Sequence, residues 1–219
     1  MKNLLYKEIN LCLNPLNYFF LGFAAMLLIP HYPVYIGFFY MCLSVFWIFN
    51  NSLINKDSLF NILLPISKNN IVKARCLLVA LYEIVFILLS IPFAILNNKF
   101  FPDGNPTGIN ANIAFFGLLL IVISAFNFIF ITKVYKKTEK IGSPFLLGGI
   151  AFLLLYILFD VPFIIKDMFS FDLFRRLDSS NSQDLGLKLI ILFVGIVIYS
   201  LSWFATYKVS CKNFKKVDL

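Results

Sequence analysis

The sequence has little charge and almost no histidine. Only 14% of its 219 residues are charged, whereas about a quarter are charged in an ordinary soluble chain. Hydrophobic residues make up 60% of the sequence and fall into long blocks. Burying so much apolar surface from water would need a far larger core than a chain of this size can enclose. The composition excludes secreted enzymes, nucleic-acid readers and disulfide scaffolds, and it predicts a membrane protein.

Residues for catalysis and for nucleotide binding are also missing. Hydrolases and intramembrane metalloproteases use histidines near other reactive groups, but the single histidine, His31, stands alone in a loop between Pro30 and Pro33. The sequence has no G-x-x-x-x-G-K-[ST] phosphate-binding loop, and its four cysteines lack metal-ligand spacing. We therefore expect neither an enzyme nor a cofactor on this chain, so any energy for its work must come from another chain.

Six apolar blocks approach or exceed the length that a membrane-spanning helix needs. The first two are short, and residues 30–33 join them in a tight turn. We expect an all-α polytopic membrane protein, with a single transmembrane domain over residues 1–219. The predicted spans lie at about 16–30, 34–50, 76–96, 112–132, 144–165 and 188–207.

The basic residues between the blocks predict the orientation. Fourteen of the nineteen Lys and Arg lie in the N-terminal segment, the second and fourth connections, and the C-terminal tail. The positive-inside rule puts these segments, and with them both termini, in the cytoplasm. The charge is spread over four segments, which favours attraction to anionic membrane lipid over a nucleic-acid patch.

The first fourteen residues have no clear signal-peptide cleavage site. Polar and apolar residues occupy opposite sides at helical spacing there: Asn3, Lys7, Asn10 and Asn14 on one side, and Leu5, Ile9, Cys12 and Leu13 on the other. This pattern predicts a short helix lying in the membrane interface, with a frayed tail as the alternative.

Three polar residues inside the predicted spans are candidates for a translocation pathway: Glu83, Asn127 and Asp160. An unpaired charge deep in a bilayer costs at least ~2.5–3.5 kcal/mol, so Glu83 must face protein or water, be protonated, or lie shallower. The sequence leaves open whether Glu83 serves a pathway or is a structural carboxylate bonded to a neighbouring Tyr, Asn or Lys. Asn127 is better suited to hydrogen bonding between helices than to contact with a substrate. Asp160 precedes Pro162, so we expect the helix to break there and leave Asp160 in the interface.

Residues 163–177 interleave large apolar side chains with charged ones, a mixture that suits neither a span nor a loop in water. This segment predicts an amphipathic or re-entrant helix on the outer face, before the sixth span.

The longest internal connection, residues 51–75, is itself organised. Asp57 and Ser58 can cap a short helix that Pro65 ends, and Ser67 can cap the next helix. The short helix would contain Leu59, Phe60, Leu63 and Leu64, and Leu59, Phe60 and Leu63 would form its apolar face. A face of this kind at the inner membrane surface needs either lipid or another protein against it.

The run Asp57-Ser58-Leu59-Phe60-Asn61-Ile62-Leu63-Leu64-Pro65-Ile66-Ser67-Lys68 continues through Ile71-Val72-Lys73-Ala74-Arg75. It resembles the LLP-[IV]-S-[KR]…IV-x-[AG]-[KR] stretch of type-2 ATP-binding-cassette (ABC) permeases, the membrane subunits of bacterial exporters whose ATPase is a separate chain. The resemblance extends to Tyr6-Lys7-Glu8, to the order of the six spans and to the aromatic segment before the last span.

The resemblance implies that the connection supplies a coupling helix that docks in a groove of the ATPase, which carries the ATP and Mg. The residues concerned are Asp57, Ser58, Leu59, Phe60, Asn61, Leu63, Leu64 and Pro65. It further implies that the N-terminal helix braces the ATPase, and that residues 160–177 form short re-entrant outer helices. A second permease, identical or paralogous, would complete the assembly in a bacterial plasma membrane.

We therefore expect the permease subunit of an ABC exporter, which moves a hydrophobic or amphipathic substrate, such as a peptide or a drug-like molecule, by alternating access. One alternative is an ion- or proton-coupled secondary transporter, although only Glu83 is a secure intramembrane ionisable group and no internal repeat is visible. Another is a non-transporting membrane immunity or assembly protein, which the composition leaves open.

Overall fold

The structure, a computed structural model, describes residues 2–55, 66–102, 104–138, 140–166, 172–179 and 184–217. Within these ranges every regular element is a helix, as predicted. The elements are α1 (Lys2–Cys12), α2 (Pro15–Leu21), a 3₁₀ helix (Gly22–Leu28), α3 (Tyr35–Ile54), α4 (Lys68–Phe100), α5 (Ile113–Val134), α6 (Gly142–Ile165), α7 (Asp172–Asp178) and α8 (Leu185–Lys215).

Five of the described helices, α3, α4, α5, α6 and α8, are long and apolar enough to cross a membrane. A bent pair made of α1 and the 15–28 segment, with an angle of 88° between its halves, brings the number to six if it counts as one span. The structure therefore supports five or six spans, and each of the six predicted blocks falls on one of these elements.

The first predicted block is a composite of α2 and the 3₁₀ helix. Asn14 and Asn17 form a reciprocal cap, in which each side chain accepts the backbone N–H of the other, at 3.2 and 3.1 Å. Pro15 stands at the first helical position, where its missing N–H costs nothing. The 3₁₀ helix ends before Pro30, and the turn that follows holds His31 at a positive φ of 56°.

Helix α5 lies at the centre of the bundle and packs against α6 on one side and α8 on the other. Its buried face is rich in phenylalanine, and the rings of Phe126 and Phe130 stack with centroids 5.3 Å apart. Against α8 the backbones meet directly, because Gly117 and Gly195 face one another at the contact. Small residues allow such close approach where helices pack in a membrane.

The C-terminal end of α1 and the described part of the tail lie at the same end of the bundle, together with the two flanks of the loop between α3 and α4. Asn55 donates from Nδ2 to the carbonyl oxygen of Leu11 at 3.1 Å, and Lys68 donates from Nζ to that of Val217 at 2.9 Å. We call this the basic end, because it carries the lysines of α4's start, the α5–α6 connection and the tail. We call the opposite end the far end. That the basic end faces the cytoplasm remains a prediction.

The predicted break at Asp160–Pro162 is wrong. Helix α6 continues through Pro162 to Ile165, and Asp160 is buried within the protein at 2% exposure. The carboxylate of Asp160 is stabilised because it accepts the backbone N–H of Ile109 at 2.9 Å. Pro162 lies in the last turns of α6, and membrane helices tolerate proline where neighbouring groups satisfy the backbone.

The segment before the last span contains one short separate helix, α7, while residues 160–165 belong to α6. The re-entrant arrangement implied for residues 160–177 is therefore not found over residues 160–165, and residues 167–171 lie outside the described part of the chain. At the other terminus α1 is helical as predicted, so the frayed-tail alternative is wrong.

Candidate functional site

The predicted coupling helix lies outside the described residues. This applies to Asp57, Ser58, Leu59, Phe60, Asn61, Leu63, Leu64 and Pro65. The structure does describe the base of this loop, by which we mean the last turns of α3, the start of α4 and the helix α1 beside them.

The last turns of α3 hold the C-terminal end of α1. Asn51 donates from Nδ2 to the carbonyl oxygen of Cys12 at 3.0 Å, and Asn55 does the same to Leu11. The final carbonyls of a helix have no partner within it, so these two amides satisfy groups that would otherwise lack one. Helix α1 is thereby held against the last turns of α3, from which the chain enters the loop.

The start of α4, on the other side of the loop, is capped as predicted. Ser67 accepts the backbone N–H of Asn70 at 3.3 Å through its hydroxyl oxygen. The next residue, Lys68, reaches the tail through Val217. The chain leaving the loop is therefore joined to the C-terminal end of α8.

A buried ion pair completes the base of the loop. Arg75 on α4 donates from Nε to Oε2 of Glu8 on α1 at 2.5 Å, and its guanidinium also donates to the hydroxyl of Ser52 at 3.0 Å. The same guanidinium lies 5.5 Å from the ring centroid of Phe49. A single buried group thus connects α1, α3 and α4.

This pair was not predicted, although the sequence contains a signal for it. Glu8 lies at the edge of the apolar side of α1, three residues after Leu5 and four before Cys12, and Arg75 directly precedes an apolar run. Two opposite charges on otherwise apolar faces indicate a pair, because either charge would be too costly to bury alone.

A second polar cluster lies within the membrane-spanning part, around Glu83. The Oε2 atom of this fully buried carboxylate accepts the hydroxyl of Tyr199 at 2.7 Å and the amide of Asn127 at 3.0 Å. These contacts join α4 to α8 and to α5. Glu83 and Asn127 were both predicted as candidate pathway residues, and the structure brings them together, whereas Tyr199 was not predicted.

The residue before Glu83 makes a matching connection on the other side of α4. Tyr82 donates its hydroxyl to the carbonyl oxygen of Asn17 at 2.9 Å, and the Asn17 amide donates to the hydroxyl of Ser44 at 2.8 Å. Consecutive residues point to different sides of a helix, so Tyr82 and Glu83 together connect α4 to α2, α3, α5 and α8. Asn17 and Tyr82 were also missed by the sequence analysis.

Asp160, the third predicted pathway residue, lies elsewhere. It occupies the last turns of α6 at the far end, where the 101–112 loop covers it. Gly108 in this loop has a φ of +154°, and a Cβ atom built on it would lie 2.1 Å from the Asp160 carboxylate. The three predicted residues therefore form a bonded pair, Glu83 with Asn127, and a separate single residue, Asp160.

Long apolar helices joined by a few buried polar clusters define a polytopic α-helical membrane protein. The sequence model of the ABC-2 family transporter proteins matches residues 3–210, so the chain belongs to this family. It is accordingly a transport membrane subunit, of a family whose members work with an ABC ATPase subunit. The resemblance noted in the sequence is thereby confirmed. No curated protein and no solved structure matches the chain.

Proposed function

We propose that this chain is the permease subunit of an ABC exporter that moves a hydrophobic or amphipathic substrate, a peptide or a drug-like molecule, across a bacterial plasma membrane. Family membership over residues 3–210 is the observation that carries the proposal. A separate ATPase subunit, which holds ATP and Mg, drives alternating access by pushing on residues 57–65.

The base of the loop supports this mechanism because it is built to transmit force. The chain entering residues 56–65 is bonded to α1, and the chain leaving them is bonded to α8. The Glu8–Arg75 pair then fixes α1 to α4 inside the protein. A displacement of the loop would move α1, α3 and α4 together, because Arg75 on α4 bonds to both Glu8 on α1 and Ser52 on α3.

The orientation follows from the lysines at the basic end. The positive-inside rule places that end in the cytoplasm, where the ATPase is, together with both termini. The loop and the braced helix α1 then face the ATPase on the same side. Labelling of a cysteine introduced at position 60 with a membrane-impermeant reagent tests this directly, and labelling from outside intact cells would contradict it.

A second permease copy or paralogue would pack against the apolar faces that the chain leaves exposed. On α6 these residues recur at helical spacing: Leu146, Leu147, Ile150, Leu153, Leu154, Ile157 and Leu158. Lipid covers the same surface if the chain is a monomer. Cysteine cross-linking between copies at Leu154 separates these two arrangements.

The contacts of Glu83 favour a structural carboxylate bonded to its neighbours over a residue on an open path. It is fully buried and holds three helices together, so we assign it and Asn127 to the connection between α4, α5 and α8. A pathway role for Glu83, Asn127 and Asp160 remains a prediction.

Co-purification of the ATPase subunit tests the proposal. Phe60→Asp and Leu63→Asp each put a charge on the apolar face of the proposed coupling helix, so we expect the ATPase to be lost from the purified complex and transport to stop. Leu173→Asp is the matched control, because Leu173 is an exposed apolar residue on the short helix α7 at the far end.

Two results would contradict the proposal. If the Phe60 and Leu63 variants keep the ATPase bound and transport intact, residues 57–65 are not the coupling helix. If the chain transports without any ATPase, a secondary transporter is favoured, and if it purifies and functions without one but moves nothing, an immunity or assembly protein is favoured.

A further inference from the structure

A cavity of about 790 Å³ opens between α4, α5 and α8 in the half of the bundle near the far end. We call it the side cavity. Its walls are aliphatic and aromatic, with Ile87 and Ile91 from α4, Phe116 and Leu120 from α5, and Leu192 and Ile196 from α8. Glu83 and Asn127 are not among its lining residues.

The side cavity has the length of one bilayer leaflet. Its lining runs from Ile87 to Asn98 on α4 and from Leu185 to Ile196 on α8, which at 1.5 Å per residue is ~16 Å along each helix. Half of a hydrocarbon core of ~30 Å is ~15 Å. An extended acyl chain of a single leaflet therefore fits the cavity lengthwise.

The cavity opens sideways toward lipid. Ile95 at its edge is 64% exposed, and Leu185 and Ile196 are also exposed on the side of α8. The opposite wall is closed, because α5 and α8 meet there at Gly117 and Gly195 without space for side chains. A hydrocarbon chain can enter from the surrounding membrane but cannot pass between α5 and α8.

The end of the cavity nearest the far end is polar, and most of its polar groups already have partners. Asp178 forms an ion pair with Lys166 and accepts the backbone N–H of Asn110 at 2.7 Å. The side-chain amide of Asn112 donates to the carbonyl oxygen of Leu177 at 2.9 Å. The hydrogen bonds of Asp178 and Asn112 therefore hold the 101–112 loop against α7.

Lys188 is the exception at this polar end. It lines the cavity and is 5% exposed, and among the described residues its ammonium bonds only to Ser179, through the carbonyl oxygen and, at 3.5 Å, the hydroxyl. The nearby carboxylate of Asp184 is engaged by Arg176 at 2.8 Å and by Ser179 at 2.7 Å. The charge of Asp184 acts on Lys188 through space, but no carboxylate of the described residues forms an ion pair with the ammonium itself. An anion that enters the cavity would therefore offset more of the ammonium's loss of hydration.

We propose that the side cavity binds an anionic membrane lipid, with one acyl chain along the aliphatic walls and the head group on the ammonium of Lys188. The site draws its ligand from the leaflet near the far end, by the sideways opening. It is separate from the proposed coupling helix, so lipid binding and ATPase binding can succeed or fail independently.

Retention of defined lipids by the purified protein, measured by native mass spectrometry, tests the proposal. We expect the protein to retain phosphatidylglycerol over phosphatidylcholine of the same chain length. In Lys188→Met the affinity for phosphatidylglycerol should fall by about tenfold, the value of one charged hydrogen bond, while that for phosphatidylcholine stays unchanged. Lys188→Arg should restore the preference.

Two further variants control for surface charge and for the acyl chain. Lys99→Met removes an exposed cation at the same end of α4 and should leave both lipids bound as before. Ala94→Phe narrows the cavity from its buried wall and should weaken both lipids together. The proposal is overturned if the parent protein retains the two lipids equally, or if Lys188→Met still prefers phosphatidylglycerol. It is also overturned if Lys99→Met lowers the affinity for phosphatidylglycerol as much as Lys188→Met does.

Discussion

The guanidinium of Arg75 and the carboxylate of Glu8 are joined at 2.5 Å, with both side chains buried. The two residues lie on different helices, α1 and α4, and α4 begins shortly after the proposed coupling helix. Their bond makes the N-terminal helix part of the structure that supports the proposed coupling helix. A force at the basic end would reach α4 through this contact.

Replacement of Arg75 by methionine should destabilise the protein strongly. The change removes the buried cation of Glu8 and leaves only Lys7, whose Nζ lies 3.4 Å from Oε1. Breaking a buried pair costs about 3–5 kcal/mol, and because Lys7 remains we expect a value near the lower end of that range. We expect a corresponding fall in the free energy of unfolding in detergent, measured by denaturant titration.

Lys73→Met is the matched control, since Lys73 is an exposed cation two residues earlier on the same helix. It should change stability by less than about 0.5 kcal/mol, as surface substitutions usually do. Equal stabilities of the Arg75 and Lys73 variants would show that the buried pair does not hold α1 to α4.

Two substitutions of Glu83 distinguish the loss of its hydrogen bonds from the loss of its charge. Glu83→Ala leaves the hydroxyl of Tyr199 and the amide of Asn127 without their acceptor, and we expect a cost of about 1–3 kcal/mol. Glu83→Gln keeps an acceptor oxygen in the same place and should cost clearly less. Thermal unfolding of the two variants side by side measures the difference.

Transport by Glu83→Gln then decides between the two roles of this residue. If the carboxylate is structural, the glutamine variant should transport nearly as well as the parent. A glutamine variant that is stable yet inactive would instead support the pathway role.

The carboxylate of Asp160 gives a third prediction, at the far end. Asp160→Ala removes the acceptor for the backbone N–H of Ile109, so the 101–112 loop should be held less firmly. We expect a cost of about 1–3 kcal/mol and faster proteolysis within this loop. Asp172→Ala, at an exposed position on α7, should change neither quantity, and the same cleavage rate in both variants would contradict the assignment.

The sequence predicted the elements of the fold well, because each depends on a local property. Length and apolar composition were enough to locate the long helices, and Pro15 and Ser67 marked two helix starts correctly. Pro162 misled the prediction, since a proline near the end of a membrane helix can be accommodated when the surrounding groups are satisfied.

The partners of the polar residues could not be predicted in the same way. The bond from Tyr199 to Glu83 joins residues 116 positions apart, and nothing in the spacing of either residue indicates the other. The cost of burying a charge showed that Glu83 needed a partner, but only the packing of α4, α5 and α8 determines which side chains reach it.

The contact of Gly195 with Gly117 provides the last prediction, because it leaves no room for any side chain. A Cβ atom on Gly195 would lie 2.2 Å from the carbonyl oxygen of Gly117, so Gly195→Ala must push α8 away from α5. Overpacking of this kind costs about 1–3 kcal/mol, which we expect to see in the free energy of unfolding. Gly186→Ala on the same helix meets nothing within 4 Å and should be neutral or stabilising, because alanine favours a helix by about 1 kcal/mol. If Gly195→Ala is as stable as Gly186→Ala, the two helices do not meet at these glycines.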